Sequence, residues 1–285
     1  MKTYLETYIR KSETAQLILL QRIYSLSGSQ DLIFRGGTAL RWCHGGSRFS
    51  EDLDFVTPLA PRLVKAKMNR AFKAAEKEMA PHFGVGTLSV SDRSTRQDTL
   101  KLFADYQSAA FRGKISIKLE FERILPGCRP DTRNHVLSSL PAVSSLLVAG
   151  DFRVPRPNAV LVAETVPEPL SDKVRALLER RYLKGRDIFD VWYLRSALNA
   201  AVEKTVIERK FGMYAWPFRA VRRPDFFADP TPQGREEMKA AIVQDLARFL
   251  PLEAFAVHRS EGFYSLLNAL RSLFAELKNA GVAVP

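Results

Sequence analysis

The chain has 285 residues, of which 46% are hydrophobic and 26% are charged. This composition is that of a globular protein with a sizeable core, and it excludes disordered, collagen-like and disulfide-stapled classes. The 43 basic and 31 acidic residues give a net charge of +12, which favours polyanions such as nucleic acid as partners. Cys43 and Cys128 form no Cys-x-x-Cys motif, and neither a signal peptide nor a membrane-spanning apolar stretch is visible. We therefore expect a cytoplasmic protein that does not enter a membrane.

Helices and strands alternate in the first part of the chain. The predicted elements are, in order, a helix over residues 3–26, a buried strand at 32–34, a short helix at 38–44, a strand at 53–56, a basic helix at 61–80, a period-two pattern over residues 98–123 that includes a half-buried strand at 115–121, and a short strand at 160–162. Prolines cluster around the last strand, and the pattern from residue 170 onward is almost wholly helical. The sequence therefore predicts a mixed α/β lobe over residues 1–165 and a helical lobe over residues 166–285.

Two features suited to binding phosphate and metal follow one another in residues 34–55. Gly36 and Gly37 lie between a predicted strand and a predicted helix, where a backbone without Cβ atoms can approach a phosphate closely. Asp52 and Asp54 are two residues apart on the next strand, so their carboxylates share one face, about 7 Å apart. Carboxylates so placed suit Mg²⁺, which would bridge triphosphate oxygens and activate an attacking hydroxyl. Either feature alone is usually a plain turn or strand edge, but together they indicate a nucleotide site.

These residues also carry a resemblance. Residues 36–40 (Gly-Gly-Thr-Ala-Leu) and 48–55 (Arg-Phe-Ser-Glu-Asp-Leu-Asp-Phe) resemble the first motif of the AbiEii family. Its members are nucleotidyltransferase toxins of type IV-like toxin–antitoxin and phage-abortive systems, related to the MenT toxins and to the DNA polymerase β-like superfamily. The resemblance implies an α/β (α+β) fold in which a polymerase β-like nucleotidyltransferase lobe with a mixed sheet precedes a helical C-terminal lobe.

The resemblance further implies roles for residues of this motif. Gly36, Gly37, Thr38 and Ser50 of the motif are expected to bind the nucleotide. Asp52 and Asp54 are expected to hold Mg²⁺, with Asp52 catalytic and Arg48 in support. The superfamily has a third carboxylate on a neighbouring strand. Glu120 fits that place because it lies on the polar face of the strand at residues 115–121. A solvent-facing strand glutamate is the equally open alternative.

A second block extends the resemblance to the C-terminal lobe. Residues 170–180 and 185–194 resemble the family's Lys-x-x-Ala-Leu helix and its Arg-Asp-x-x-Asp signature. Lys173 is predicted in the first turn of its helix, where a cation opposes the helix dipole, so we expect it to bind the triphosphate. By resemblance, Asp187 completes the catalytic residues with Lys173, and Arg186 and Asp190 support them. Asp190 remains an alternative to Asp187 as the catalytic acid.

Two basic segments are candidates for binding a polyanion. The helix at residues 61–80 has a basic side, formed by Arg62, Lys65, Lys67, Arg70, Lys73 and Lys77, and we expect it to border the active site because it follows the Asp-x-Asp strand. In the second lobe, basic and aromatic residues interleave over residues 209–227. Guanidinium groups that contact phosphates and aromatic rings that stack on bases are typical of single-stranded RNA binding. The alternative is an aromatic core with a basic rim.

The sequence thus favours a Mg²⁺-dependent enzyme that transfers a nucleoside monophosphate from an NTP to RNA, with a tRNA 3′ acceptor end as the expected acceptor. The resemblance adds inhibition of translation and a separately encoded antitoxin as partner. One alternative keeps the chemistry but modifies a protein or a small molecule. Another, of a different class, is a non-catalytic RNA-binding module on a decayed fold, against which the intact Asp52, Asp54 and Lys173 argue.

Overall fold

The structure, a computed structural model, describes residues 5–110 and 112–285. Residues 5–164 form one compact unit and residues 165–285 form a second. Residues 3 and 4 of the predicted first helix lie outside the described residues. Within the described part of the chain, no helix has both the length and the apolar character needed to cross a membrane.

A mixed sheet organises the first unit. In the described residues its seven strands are β1 (Ile33–Arg35), β2 (Asp52–Thr57), β3 (Gly86–Asp92), β4 (Thr99–Ser108), β5 (Ile115–Arg123), β6 (Thr132–Val136) and β7 (Val160–Glu164). Their order across the sheet is β3-β4-β5-β2-β1-β7-β6. β2 runs parallel to β5 and antiparallel to β1, which runs parallel to β7. The predicted mixed α/β fold is confirmed, although the sequence pattern did not predict β3 and β6.

Four helices of the first unit are α1 (Glu6–Tyr24), α2 (Gly36–Cys43), α3 (Pro61–Phe83) and α4 (Pro141–Val148). The helical spacing of apolar residues in α1 buries one side of it, including Leu17, Leu20 and Ile23. The Tyr24 hydroxyl at its C-terminal end donates to the carbonyl of Leu32 at 2.5 Å. This bond ties α1 to the chain just before β1.

The alternation of side chains along β2 and β5 separates an apolar face of the sheet from a polar face. Leu53 and Phe55 of β2 are fully buried, and Phe55 stacks on Phe121 of β5 with ring centroids 4.8 Å apart. The ring of Tyr24 in α1 lies 6.4 Å from that of Phe55, and Phe83 of α3 lies 5.9 Å from Tyr106 of β4. Both long helices therefore cover the apolar face.

The second unit is helical, as predicted. In its described residues the helices are α5 (Pro167–Glu179), α6 (Gly185–Ser196), α7 (Lys204–Gly212), α8 (Asp225–Ala228), α9 (Pro232–Phe249), α10 (Leu252–Ser260) and α11 (Tyr264–Asn279). The first residue of α6 allows close packing against α9, because a Cβ at Gly185 would lie only 2.5 Å from the Cα of Ile242. A hydrogen atom at Gly185 is the only side chain that this approach admits.

Gly185→Ala tests that close approach. Since the added methyl would meet backbone atoms of α9, we expect the free energy of unfolding to fall by about 1–3 kcal/mol. The control is Gly212→Ala at the end of α7, where no atom lies within 4 Å of the added Cβ. Urea unfolding should show the control unchanged or slightly more stable, and equal losses in the two variants would contradict the interpretation.

Candidate active site

The turn from β1 into α2 brings a glycine backbone against an acidic side chain. Gly36, the first residue of α2, has φ +78°, a left-handed conformation that side chains other than glycine's rarely adopt. A Cβ at this position would lie 2.7 Å from Oδ2 of Asp54. Only glycine therefore combines this turn with the position of Asp54.

The second glycine is enclosed by the loop before β2. A Cβ at Gly37 would overlap the Arg48 guanidinium and lie 2.8 Å from the Ser50 hydroxyl. Arg48 and Ser50 are themselves buried, and Arg48 donates to the carbonyl of Phe49 at 2.9 Å. Gln16 of α1 fixes this loop by donating to the carbonyl of Ser50 at 2.7 Å. The structure thus brings Gly37, Arg48 and Ser50 together.

Thr38 connects the start of α2 with the Asp-x-Asp strand. Its side chain is fully buried, and its hydroxyl donates to the backbone carbonyl of Asp52. A threonine at this position therefore fixes where β2 begins relative to α2. Its hydroxyl is occupied by that hydrogen bond.

Acidic and basic side chains share the polar face of β2 and β5. The parallel register places Asp52 beside Lys118 and Asp54 beside Glu120. Lys118 Nζ lies 2.8 Å from Asp52 Oδ2 and 3.2 Å from Glu120 Oε2. Lys101 of β4 lies 3.7 Å from the same Glu120 oxygen. We call Asp52, Asp54 and Glu120 the carboxylate row.

The members of the carboxylate row differ in electrostatic environment. Burial and the neighbouring negative charge of Asp52 raise the pKa of Asp54 to about 6. Burial would also raise the pKa of Glu120, but Lys118 and Lys101 outweigh it and lower that pKa below its ordinary value. The surroundings therefore disfavour the ionised form of Asp54 and favour that of Glu120.

The donor set of the carboxylate row suits a hard divalent cation that also binds substrate. Among the described residues, no group of three or more His, Cys, Asp or Glu side chains is close enough to hold a metal ion by itself. Mg²⁺ commonly takes only one or two carboxylates and completes its coordination with substrate phosphates and water. Asp52 and Asp54, on one face of β2, provide such a pair. A cation bound to them would stabilise the ionised form of Asp54, whose pKa is raised by burial and by the charge of Asp52.

The second unit contains a buried cluster that we call the lysine–aspartate cluster. The Lys173 ammonium lies 2.8 Å from Asp187 Oδ1 and 2.8 Å from Asp190 Oδ2. All three side chains are at most 10% exposed. Lys173 is the seventh residue of α5, so the prediction that it lies in the first helical turn is wrong. Two buried carboxylates, rather than the helix terminus, determine its environment.

The two acids of that cluster are not equivalent. Asp187 is also paired with Arg180, just after α5. Burial alone would raise the pKa of Asp187, but Arg180 and Lys173 together hold it well below its ordinary value. Asp187 is therefore ionised across the physiological pH range.

Arg186, the predicted supporting residue next to Asp187, contacts an aromatic ring. Its guanidinium carbon lies 5.4 Å from the ring centroid of Phe249.

The predicted basic and aromatic surface of the second unit is partly interior. Lys210 is fully buried and pairs with Glu168 at 2.9 Å and Asp172 at 3.2 Å. Three of the six aromatic residues of this segment are buried, namely Phe211, Tyr214 and Phe227. The side chain of Trp216 is 45% exposed, and Arg219 and Arg223 are exposed as well. The three buried rings therefore belong to the core and cannot stack on bases, which agrees in part with the alternative of an aromatic core with a basic rim.

The basic helix α3 keeps an exposed cationic side. Glu76 accepts a hydrogen bond from the Leu88 backbone at 2.7 Å, and Glu78 pairs with Arg22, so both acids face protein partners. The exposed basic residues include Arg62, Arg70, Lys73 and Lys77. However, α3 covers the apolar face of the sheet, whereas the carboxylate row lies on the opposite face. The expectation that α3 borders the acids is therefore wrong.

Sequence reasoning did not single out four residues that shape these sites. Lys118 could have been found from its alternation with Glu120 on one strand face. Arg35, which pairs with Glu122 at 2.5 Å, gives only the signal of its position before Gly36. Gln16 and Arg180 give none, because their partners are 34 and 7 residues away in the sequence.

Gly36→Ala tests the contact between the glycine turn and Asp54. The left-handed backbone alone should cost about 1–2 kcal/mol, and the contact with the carboxylate should add to this loss. Gly127→Ala is a matched control, because Gly127 has φ +79° and no atom lies within 4 Å of its added Cβ. The measurement is the free energy of unfolding in urea. A loss no larger in Gly36→Ala than in Gly127→Ala would show that the contact is unimportant.

Asp187→Asn tests the lysine–aspartate cluster. Removing one charge from a buried ion cluster should lower the free energy of unfolding at pH 7 by about 3–5 kcal/mol. Because the pKa of Asp187 is lower in the folded protein than its ordinary value of 3.8, the ionised carboxylate stabilises the fold at pH values above 3.8. This stabilisation is lost as the pH falls from 3.8 towards the folded-state pKa. The wild type should therefore lose stability between about pH 5 and pH 3, and Asp187→Asn should lose less over that interval.

The control for that comparison is Asp98→Asn. Asp98 pairs with Arg123 at 3.4 Å, and both side chains are 40% exposed, so the change should cost less than about 1 kcal/mol. Chemical unfolding followed at several pH values measures both variants. An unchanged slope with pH in Asp187→Asn would contradict the assignment.

Comparisons with known proteins agree with this geometry. Two crystal structures from Helicobacter pylori share the fold. One, of JHP933, has 15% sequence identity and a TM-score of 0.58, and the match covers 98% of this chain and 97% of that one. The other, of a protein assigned as a nucleotidyltransferase, has 16% identity and a TM-score of 0.54 over 97% and 98% of the two chains. No curated protein matched the sequence.

A family model decides the assignment. The model described as nucleotidyl transferase AbiEii toxin, type IV TA system, matches residues 18–261, a range that includes the glycine turn, the carboxylate row and the lysine–aspartate cluster. This range covers most of the 285 residues. The chain therefore belongs to the AbiEii family of nucleotidyl transferase toxins and is a nucleotidyltransferase.

Proposed function

We propose that this nucleotidyltransferase transfers a nucleoside monophosphate from an NTP to a 3′ hydroxyl of RNA, with the acceptor end of tRNA as the target. The single observation that supports the chemistry is the carboxylate row on β2 and β5 beside the glycine turn at the start of α2. Carboxylates suit the counter-cation of a triphosphate, and backbone N–H groups at the start of a helix such as α2 suit its phosphates. Modification of an RNA end would block translation, and we propose that the protein acts in the cytoplasm.

The metal that fits the carboxylate row is Mg²⁺. We propose that Asp52 and Asp54 hold it and that Glu120 assists. When bound, the ion supplies neutralisation of triphosphate charge and activation of the attacking hydroxyl.

The residues around the glycine turn would orient the nucleotide. Gly36 and Gly37 let Asp54, Arg48 and Ser50 pack directly against the turn. We propose that Ser50 and Arg48, adjacent to Gly37, donate to the phosphate oxygens. Thr38 would act on the position of Asp52 through its backbone hydrogen bond. Alignment and charge stabilisation of this kind supply most of the catalysis in phosphoryl and nucleotidyl transfer.

The lysine–aspartate cluster has roles that follow from the family resemblance. We propose that Lys173 neutralises charge on the triphosphate and that Asp187 positions or deprotonates the acceptor. Asp187 is favoured over Asp190 as the positioning acid because both of its carboxylate oxygens are held, one by Lys173 and the other by Arg180. Arg186 and Asp190 would hold these two residues in place.

RNA is favoured as acceptor by the distribution of positive charge. The net charge is +12, and cations accompany the acids on the polar face of the sheet. Lys101 and Lys118 lie beside Glu120, and the Arg93 guanidinium lies over the Phe103 ring, 4.6 Å from its centroid. The exposed side of α3 provides further phosphate contacts away from the carboxylate row. Such an arrangement attracts a long polyanion more strongly than a small neutral acceptor.

Type IV toxin–antitoxin membership also leads us to propose a cognate antitoxin as partner. The antitoxin would be a separately encoded protein that restrains the transferase. Nucleotidyl transfer to a protein or a small molecule is the second candidate reaction, because the same carboxylate row would serve it without change.

A transfer assay tests the proposal. Purified protein is incubated with Mg²⁺, each labelled NTP in turn and total cellular RNA, and products are separated by size. We expect a labelled tRNA band that depends on Mg²⁺ and falls by about 100-fold or more in Asp52→Asn, because the electrostatic stabilisation at the triphosphate is lost. The control Asp92→Asn removes an acid on β3 that pairs with Lys65 at the surface, and it should keep full activity.

Three outcomes separate the candidates. Labelling of tRNA by the wild type that is lost in Asp52→Asn supports RNA as the acceptor. Labelled protein or small molecule with the same dependence supports the second candidate reaction. If the protein binds RNA but shows no Mg²⁺-dependent transfer to any acceptor, the catalytic proposal is refuted and an RNA-binding module remains.

A further inference from the structure

Lys118 occupies a position that is unusual for a lysine on a strand. Its ammonium contacts two members of the carboxylate row, Asp52 at 2.8 Å and Glu120 at 3.2 Å. Its side chain is only 23% exposed, and the parallel register of β2 and β5 fixes it beside Asp52. A cation is thus built into the acidic face of the sheet.

The other basic side chains near Lys118 contact acids of their own. On the neighbouring strand β4, Lys101 faces Glu120, and on β1 Arg35 pairs with Glu122. The ammonium of Lys118 is therefore the positive charge in direct contact with Asp52.

We propose that Lys118 is the internal counter-cation of the carboxylate row: it binds Asp52 while no metal is bound and releases Asp52 when a divalent cation binds. This inference rests on the proposed function, since it takes Asp52 and Asp54 as the metal ligands. An ammonium and a divalent cation repel each other at contact distance, so they compete for the Asp52 carboxylate. Lys118 thereby weakens the binding of metal alone and stabilises the metal-free fold.

The competition gives the nucleotide a part in metal binding. An ammonium released from Asp52 stays beside the row and can pair with triphosphate oxygens, which bring negative charge of their own. When metal and an NTP bind together, the metal pairs with the acids and Lys118 pairs with the triphosphate. When metal binds alone, Lys118 loses its Asp52 contact and gains no other. Lys118 is in this sense a positioning residue that favours loading of metal and nucleotide together.

The test measures binding of Mn²⁺ alone, in the absence of nucleotide, from the electron paramagnetic resonance signal of the free ion. Lys118→Met should bind Mn²⁺ about tenfold more tightly than the wild type, since the competing charge is gone. Lys118→Arg keeps a positive charge and should stay within about threefold of the wild type. Lys101→Met, which removes a cation 3.7 Å from Glu120 and leaves the Asp52 pair intact, is the matched control and should also stay within about threefold.

Thermal unfolding provides a second, independent measurement. Lys118→Met in chelator should melt at a lower temperature than the wild type, and millimolar Mg²⁺ should raise its melting temperature more than that of the wild type. If the variant fails to fold in chelator, recovery of the folded state by Mg²⁺ counts as support. Failure to fold at millimolar Mg²⁺ would overturn the proposal, as would Mn²⁺ binding no tighter than in the wild type.

Failure of this inference is distinguishable from failure of the proposed function. Asp52→Asn should abolish Mn²⁺ binding in both the wild-type and the Lys118→Met backgrounds. If Asp52→Asn abolishes binding but Lys118→Met does not strengthen it, the carboxylate pair stands and the counter-cation role is refuted. If Asp52→Asn leaves Mn²⁺ binding intact, the metal ligands of the proposed function are themselves refuted.

Discussion

The parallel pairing of β2 with β5 is the constraint on which the candidate site depends. Its register sets Asp52 beside Lys118 and Asp54 beside Glu120, so that acids from two distant segments share one face. The stacked rings of Phe55 and Phe121 on the opposite face hold the same two strands together. A shift of one residue would exchange the two faces and place carboxylates in the core. The apolar core and the polar site are therefore fixed by one register.

Charge balance on the polar face gives this arrangement its chemical character. Burial and the neighbouring charge of Asp52 raise the pKa of Asp54, and cations beside the acids limit the cost. The lysine–aspartate cluster of the second unit follows a related principle, with one ammonium between two buried carboxylates. In both places basic side chains keep a buried acid ionised: Lys118 and Lys101 act on Glu120, and Arg180 and Lys173 act on Asp187.

Several features of the fold and the site were predictable from the sequence because they are local. Period-two alternation predicted β5 and the polar position of Glu120, and the Gly-Gly and Asp-x-Asp motifs indicated the β1–α2 turn and β2. Other predictions failed for reasons of packing. Lys210 and Tyr214 read as a basic and aromatic surface but lie in the interior, where Glu168 and Asp172 neutralise the lysine. The strands β3 and β6 were missed because each has few apolar residues: β3 alternates only Leu88 and Val90 with polar residues, and β6 has Val136 alone.

The sequence by itself determined the chemical types present, the mixed and helical halves of the chain and the family motifs, since each depends on residues close together in the chain. Only the tertiary structure decided which side chains meet. The contact of Lys118 with Asp52, the approach of Gly36 to Asp54 and the placement of α3 across the sheet from the acids all depend on strand order and register. Those follow from how the whole core packs, which no local pattern encodes.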